Sequence, residues 1–165
     1  MTERFAAADA LFDRLYRTAV HRKDAVMGAR AGMGRVFALS ENANSPTTAR
    51  VWLPKARAVG EEALGRFPRA PASAYLAFMI AHSWDSGAKF DYAEARNAYR
   101  RVYTDYPKSR HAEAARFYEI HKGAGIGDDA YFLSLIQLFR EDYPNSRYMK
   151  AVDKLESIVQ RRMNP

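Results

Sequence analysis

The chain has 165 residues, 26 Lys and Arg against 19 Asp and Glu, a formal charge of +7, and no cysteine. That length holds a single domain with a continuous core, or about four short helical pairs, and an aromatic content of 13% argues against disorder. The absence of thiols excludes disulfides, thiolate zinc sites, cysteine nucleophiles and a cysteine-linked lipid anchor.

Apolar periodicity predicts eight helices. The first runs from about Glu3 to Thr18 and the second from Ala25 to Leu39, followed by a long polar loop from Ser40 to Thr48. The third helix is expected to begin at Pro54, with Val51-Trp52-Leu53 packing as an apolar lead-in. A proline in the first turn costs little, whereas inside a helix it removes a hydrogen bond. The alternative is a start near Thr48 with a kink at Pro54. The remaining helices fall near 71–85, 91–105, 110–122, 128–142 and 146–162. The last carries Lys150, Lys154, Glu156, Arg161 and Arg162, a polar outer side suited to closing a stack. The longest apolar run, Ala74 to Ala81, is about half of what crosses a bilayer. No Lys/Arg–apolar–small cleavage pattern opens the sequence. The expectation is either a cytoplasmic chain or one whose export signal lies outside this sequence.

One motif recurs through these elements: Phe67-Pro68-Arg69-Ala70, Tyr106-Pro107-Lys108-Ser109 and Tyr143-Pro144-Asn145-Ser146. Its prolines are 39 and 37 residues apart, an interval typical of helical repeats. Counting back 12, 8, 5 and 1 residues gives Ala56, Gly60, Ala63 and Phe67 before Pro68. The same steps give Ala95, Tyr99, Val102 and Tyr106 before Pro107, and Phe132, Ile136, Phe139 and Tyr143 before Pro144. Such steps trace one stripe of an α-helix. A copy without the proline, Ala8, Phe12, Leu15 and Ala19 before Val20, marks a degenerate first unit.

Ala95-x3-Tyr99 with Pro107 resembles the Ala-x3-Phe…Pro half of the tetratricopeptide (TPR) pattern, and Asp91-Tyr92-Ala93-Glu94-Ala95 is similar to that family's helix entry. Asp91 is the expected N-cap, with Glu94 completing a capping box. The Trp-x2-Leu-Gly-x2-Tyr half of the pattern is absent. The Tyr-Pro-x-Ser ending resembles bacterial cell-envelope members of the family, those serving the Tol-Pal system and the outer-membrane assembly machine. The resemblance implies an all-α fold of antiparallel helix pairs stacked as a right-handed α-solenoid. It divides one domain, 1–165, into a degenerate unit 1–45 and repeats at about 51–84, 90–123 and 127–160.

In that family the helices after each proline line a concave surface. Positions 10 and 14 after Pro68 are Phe78 and His82, and those after Pro107 are Phe117 and His121, so Phe-x3-His repeats on one helical face. The first of these offsets gives Arg30 and Lys154 in the terminal units. These six residues are the candidate partner-binding set: aromatics to bury apolar side chains, cations to fix carboxylates. The plainer reading makes Phe78 and Phe117 interhelical packing residues with the histidines at the rim.

No catalytic or metal site and no cofactor is expected. Gly123-Ala124-Gly125-Ile126-Gly127 follows a helix rather than a strand and lacks a Lys-Ser or Lys-Thr, so it reads as a turn and not a phosphate cradle. His82 with Asp85 and His21 with Asp24 are two-ligand pairs, too few for a metal. No Gly-x-Ser-x-Gly elbow is present. The leading expectation is a non-catalytic scaffold, monomeric or dimeric, that binds a protein or peptide bearing acidic groups. The resemblance suggests a periplasmic or cell-envelope complex. Its rivals are a basic repeat module binding nucleic acid or another polyanion, and a helical enzyme or metal-binding protein.

Overall fold

A computed structural model describes residues 3–85, 91–123 and 129–164. The described residues form eight helices and no strand: α1 (Glu3–Arg22), α2 (Ala25–Glu41), α3 (Pro46–Arg66), α4 (Ser73–Trp84), α5 (Tyr92–Asp105), α6 (Ala112–Gly123), α7 (Asp129–Asp142) and α8 (Met149–Met163). The fold is all-α, as expected. Along α1 to α4, and again along α5 to α8, each helix packs on the next, and α2 also meets α4 as α6 meets α8, the packing of a helical repeat. The chain divides into two compact units, Met1–Asp91 and Tyr92–Pro165, each holding two helix pairs. No described helix is long and apolar enough to cross a membrane.

The aromatic–proline motif makes the same turn three times. The N–H groups of Phe67, Tyr106 and Tyr143 close the preceding helix on the carbonyls of Ala63, Val102 and Phe139 at 2.9–3.0 Å. Three residues on, Ala70, Ser109 and Ser146 donate back to those same aromatic residues. After three more, Ser73, Ala112 and Met149 donate back to Ala70, Ser109 and Ser146. Proline stops the helix because it has no N–H and forces its predecessor out of helical geometry. The two successive i→i−3 bonds then aim the next helix. Pro107 and Pro144 are thus followed by α6 and α8 in equivalent register.

The expected stripes are buried: Ala56, Gly60, Ala63 and Phe67 in α3 and its cap, Ala95, Tyr99 and Val102 in α5, and Phe132, Ile136 and Phe139 in α7. The first unit departs from the expectation. In α1 it is Tyr16 and Ala19 that are buried, while Leu15 stands 39% exposed. Ala19 keeps its expected place and Ala8 and Phe12 are half-buried, so the stripe departs only where Tyr16 replaces Leu15.

A second correction concerns α3. It begins at Pro46, not Pro54, and the loop before it shrinks to 42–45. Ser45 Oγ accepts from the Thr48 N–H while Thr48 Oγ1 accepts from the Ser45 N–H, a capping box that orders the first turn, with Pro46 at the position where a missing N–H costs nothing. Pro54 therefore lies inside the helix on its exposed side, beside exposed Arg50 and Val51. Water can satisfy the Arg50 carbonyl that the proline leaves free. Leu53 is buried, but Val51 is half exposed and makes no apolar lead-in. The glycine stretch after Gly123 is 124–128 and lies outside the described residues.

The cores differ in kind. In the first unit α2 approaches its neighbours through small residues. A methyl added to Gly28 would overlap the Phe67 ring, and one added to Gly32 would overlap Ala63. The second unit packs Phe117, Ile120, Phe132, Ile136, Phe139, Val152 and Val159 into one cluster.

Candidate partner-binding cleft

The helix that follows Pro68 is short and strongly apolar on its inner side. Leu76, Ala77, Ile80 and Ala81 face the core, which turns Tyr75, Phe78, Met79 and His82 outward or to the edge. Beside them runs α2, whose outer stripe at helical spacing is Val26, Arg30, Met33, Phe37 and Glu41. Between the C-terminal half of α2 and α4 lies a cleft of about 380 Å³, floored by Leu53 and walled by Phe37, Glu41, Tyr75, Phe78, Met79 and His82. Phe37 is 53% and Tyr75 39% exposed. Rings so placed beside a hollow are apolar anchors with a polar edge within reach.

The cleft is held open from behind. Ser83 is buried and donates to the Ile80 carbonyl at 2.6 Å, while Arg57 of α3 donates to the Ser83 carbonyl at 3.1 Å and stacks 3.7 Å from the Trp84 ring. Burial lowers the Arg57 pKa from its ordinary value. The guanidinium neutralises the carbonyl end of α4 and fixes the turn that presents His82. On the α2 side, buried Asn42 donates to the Ala38 carbonyl at 2.9 Å and ends the helix beside Glu41.

Two of the six candidates, Phe78 and His82, therefore meet in this cleft. Arg30 lies on the same helix as Phe37 but lines a separate, shallower hollow between α1 and α2. In the second unit, Phe117 is buried, stacked 4.4 Å from Tyr148 and edge-on to Tyr118 at 5.5 Å. It packs inside the unit, as the plainer reading had it, and presents no open face. His121 is exposed, 6.0 Å from that ring, and Lys154 is exposed on α8. Phe37, Tyr75 and Glu41 were not among the candidates. For Phe37 and Glu41 the signal was the 26–30–33–37–41 spacing, which places Phe37 away from the buried Ala31, Ala38 and Leu39 of its own helix.

The second unit holds one other polar constellation. Glu119 is wholly buried, on the α6 stripe of Ala112, Ala115 and Gly123. Its Oε1 accepts from Arg100 Nε and Nη2 at 2.9 and 2.7 Å and from the Tyr131 hydroxyl at 3.3 Å, and its Oε2 accepts from the Tyr103 hydroxyl at 2.6 Å. Burial first, and then the bond to Glu119, pushes the Tyr103 phenol far above its ordinary value, and burial with the same carboxylate raises Tyr131. Both hydroxyls are therefore donors at neutral pH. Four donor contacts converge on the carboxylate and tie α5, α6 and α7 together as a clamp. A glutamate on a stripe otherwise made of alanine and glycine was the available clue.

Among the described residues no group of three or more His, Asp or Glu is placed to hold a metal ion. The chain matches no protein-family model and no curated protein sequence.

Proposed function

We propose that the protein is a non-catalytic interaction scaffold that holds a segment of a partner protein in the α2–α4 cleft. The observation that carries this reading is the pairing of half-exposed Phe37 and Tyr75 with a concave apolar floor. Aromatic anchors beside a pocket are the features that dominate protein–protein binding energy. Phe78 lines the hollow, and His82 and Glu41 supply polar contacts at its edge. The reading as a polyanion-binding module has less behind it. Arg96 and Arg100 lie over the Tyr131 ring and Arg116 over the Tyr103 ring, so these cations and aromatics are committed to each other. A place in a bacterial cell-envelope complex, and membership of the TPR family, rest on the sequence resemblance alone.

The test is affinity capture with the purified chain, identification of the captured protein, and titration of that purified partner. Phe37→Ala and Tyr75→Ala should each weaken binding by about tenfold or more while leaving the melting curve in place. Equal affinity for the parent chain and the double variant would remove the cleft from consideration.

A further inference from the structure

Leu15, displaced from the α1 core by Tyr16, belongs to a second apolar surface at the start of the first unit. Arg4, Leu11, Leu15, Thr18 and Arg22 fall on one helical stripe, and all five are exposed. Leu11 is 48%, Leu15 39% and Val26 44% exposed. Leu15 and Val26, with Phe12 and Met27 beneath them, line a hollow of about 340 Å³ between α1 and the start of α2. Arg30 borders that hollow, and Arg22 follows Leu15 by two turns. The nearby carboxylates are occupied: Asp13 pairs with Arg17 and Arg35, and Asp24 caps α2 by accepting from the Met27 N–H. Among the described residues no ion pair is made by Arg14, Arg22 or Arg30.

We propose that this α1–α2 face docks an acidic amphipathic helix of a partner protein, at a surface distinct from the α2–α4 cleft. Apolar side chains of the incoming helix enter the hollow over Phe12 and Met27, and carboxylates on its flanks meet Arg14, Arg22 and Arg30. Three observations select this occupant. The hollow is concave, which suits side-chain knobs better than a flat lipid surface does. Its lining holds a single, half-buried aromatic, Phe12, so successive bases have no exposed platform on which to stack. Arg14, Arg22 and Arg30 outnumber Asp24, the carboxylate in the lining, so a second copy of the chain laid on the same face would set arginine against arginine.

The probe is a fluorescein-labelled designed helix of about five turns, with leucines along one stripe and glutamates flanking it. Its isomer carries lysines in place of the glutamates. Anisotropy titrations should show the glutamate peptide binding at least about tenfold more tightly than the lysine isomer, with the difference shrinking between about 50 and about 300 mM salt. Leu15→Ser and Arg30→Glu, both at exposed positions, should each weaken the glutamate peptide by about tenfold with circular dichroism unchanged, while Phe37→Ala leaves it alone. Equal binding of the two isomers overturns the proposal. So does a result in which a labelled RNA oligonucleotide or phosphatidylglycerol vesicles bind and the glutamate peptide does not, or in which sedimentation shows a dimer lost on Arg30→Glu.

Discussion

In the first unit Phe37 and Tyr75 stand at the surface, whereas in the second Phe117 and Tyr148 stack on each other and Phe132 and Phe139 are sealed inside. Both units are two helix pairs, and the same aromatic–proline turn joins α3 to α4, α5 to α6 and α7 to α8, so the difference lies in side-chain volume. The first unit draws its helices together over Gly28, Gly32, Ala31 and Ala63. Two rings, Tyr16 and Phe67, fit beside these small residues, while Phe37 and Tyr75 are left at the surface. The second unit spaces its helices with aromatics and then locks them with the Glu119 clamp. On the proposed function the first unit keeps two rings for a partner, whereas the second places rings of the same kind in its core.

This contrast breaks most visibly at the centre of the second unit. Tyr99 is fully buried and stacks 5.3 Å from Tyr118. Tyr99→Ala removes an aromatic from a packed interior and should cost roughly 3–5 kcal/mol in urea unfolding. Glu119→Ala should cost about 3 kcal/mol, because Tyr103 and Tyr131 lose their acceptor while Arg100, partly exposed, recovers some hydration. The clamp also has a pH signature. A phenol whose folded pKa is raised contributes stability that is complete below the unfolded value, about 10, and is lost as pH rises through the folded value. Unfolding free energy should therefore fall from about pH 10 upward, and Tyr103→Phe should flatten that fall and remove one late-appearing phenolate from an ultraviolet titration.

The matching test in the first unit adds volume rather than removing it. Gly28→Ala drives a methyl into the Phe67 ring, which is itself held edge-on by Tyr16 at 6.1 Å. Overpacking there should cost about 1–3 kcal/mol. Gly65→Ala is the control, since a methyl at Gly65 meets nothing within 4 Å. It should leave stability level or raise it by up to about 1 kcal/mol through helix propensity. Equal losses at the two glycines would mean that helix backbone rather than packing sets the cost.

How far the sequence reached follows from where proline stands. Pro68, Pro107 and Pro144 fixed the count, and every stripe numbered from them is buried as far as the aromatic cap, where Tyr106 and Tyr143 are part-buried. Where the count had no proline, Leu15 was expected inside and Tyr16 took its place. Pro54 misled for the opposite reason. A local rule about proline outweighed the Ser45-Pro46-x-Thr48 cap, whose reciprocal bonds fix the start eight residues earlier. Phe78 and His82 were legible because offset from a fixed turn determines helical face. Phe117 occupies the equivalent offset, yet Tyr148 covers it, and a contact across 31 positions leaves no trace in local spacing.

Pro54 also gives a small effect, and again an expected gain. An interior proline costs about 3 kcal/mol in an exposed helix relative to alanine, through one missing hydrogen bond and a clash with the carbonyl four residues back. Here that carbonyl belongs to exposed Arg50, so water recovers part of the loss, and the proline also restricts the unfolded chain. Pro54→Ala should therefore stabilise the first unit by about 1 kcal/mol, with no change in the α2–α4 cleft, since Leu53 rather than Pro54 forms its floor. A stability that rises while Phe37-dependent binding falls would show that the bend at Pro54, and not side-chain chemistry alone, sets the width of the cleft.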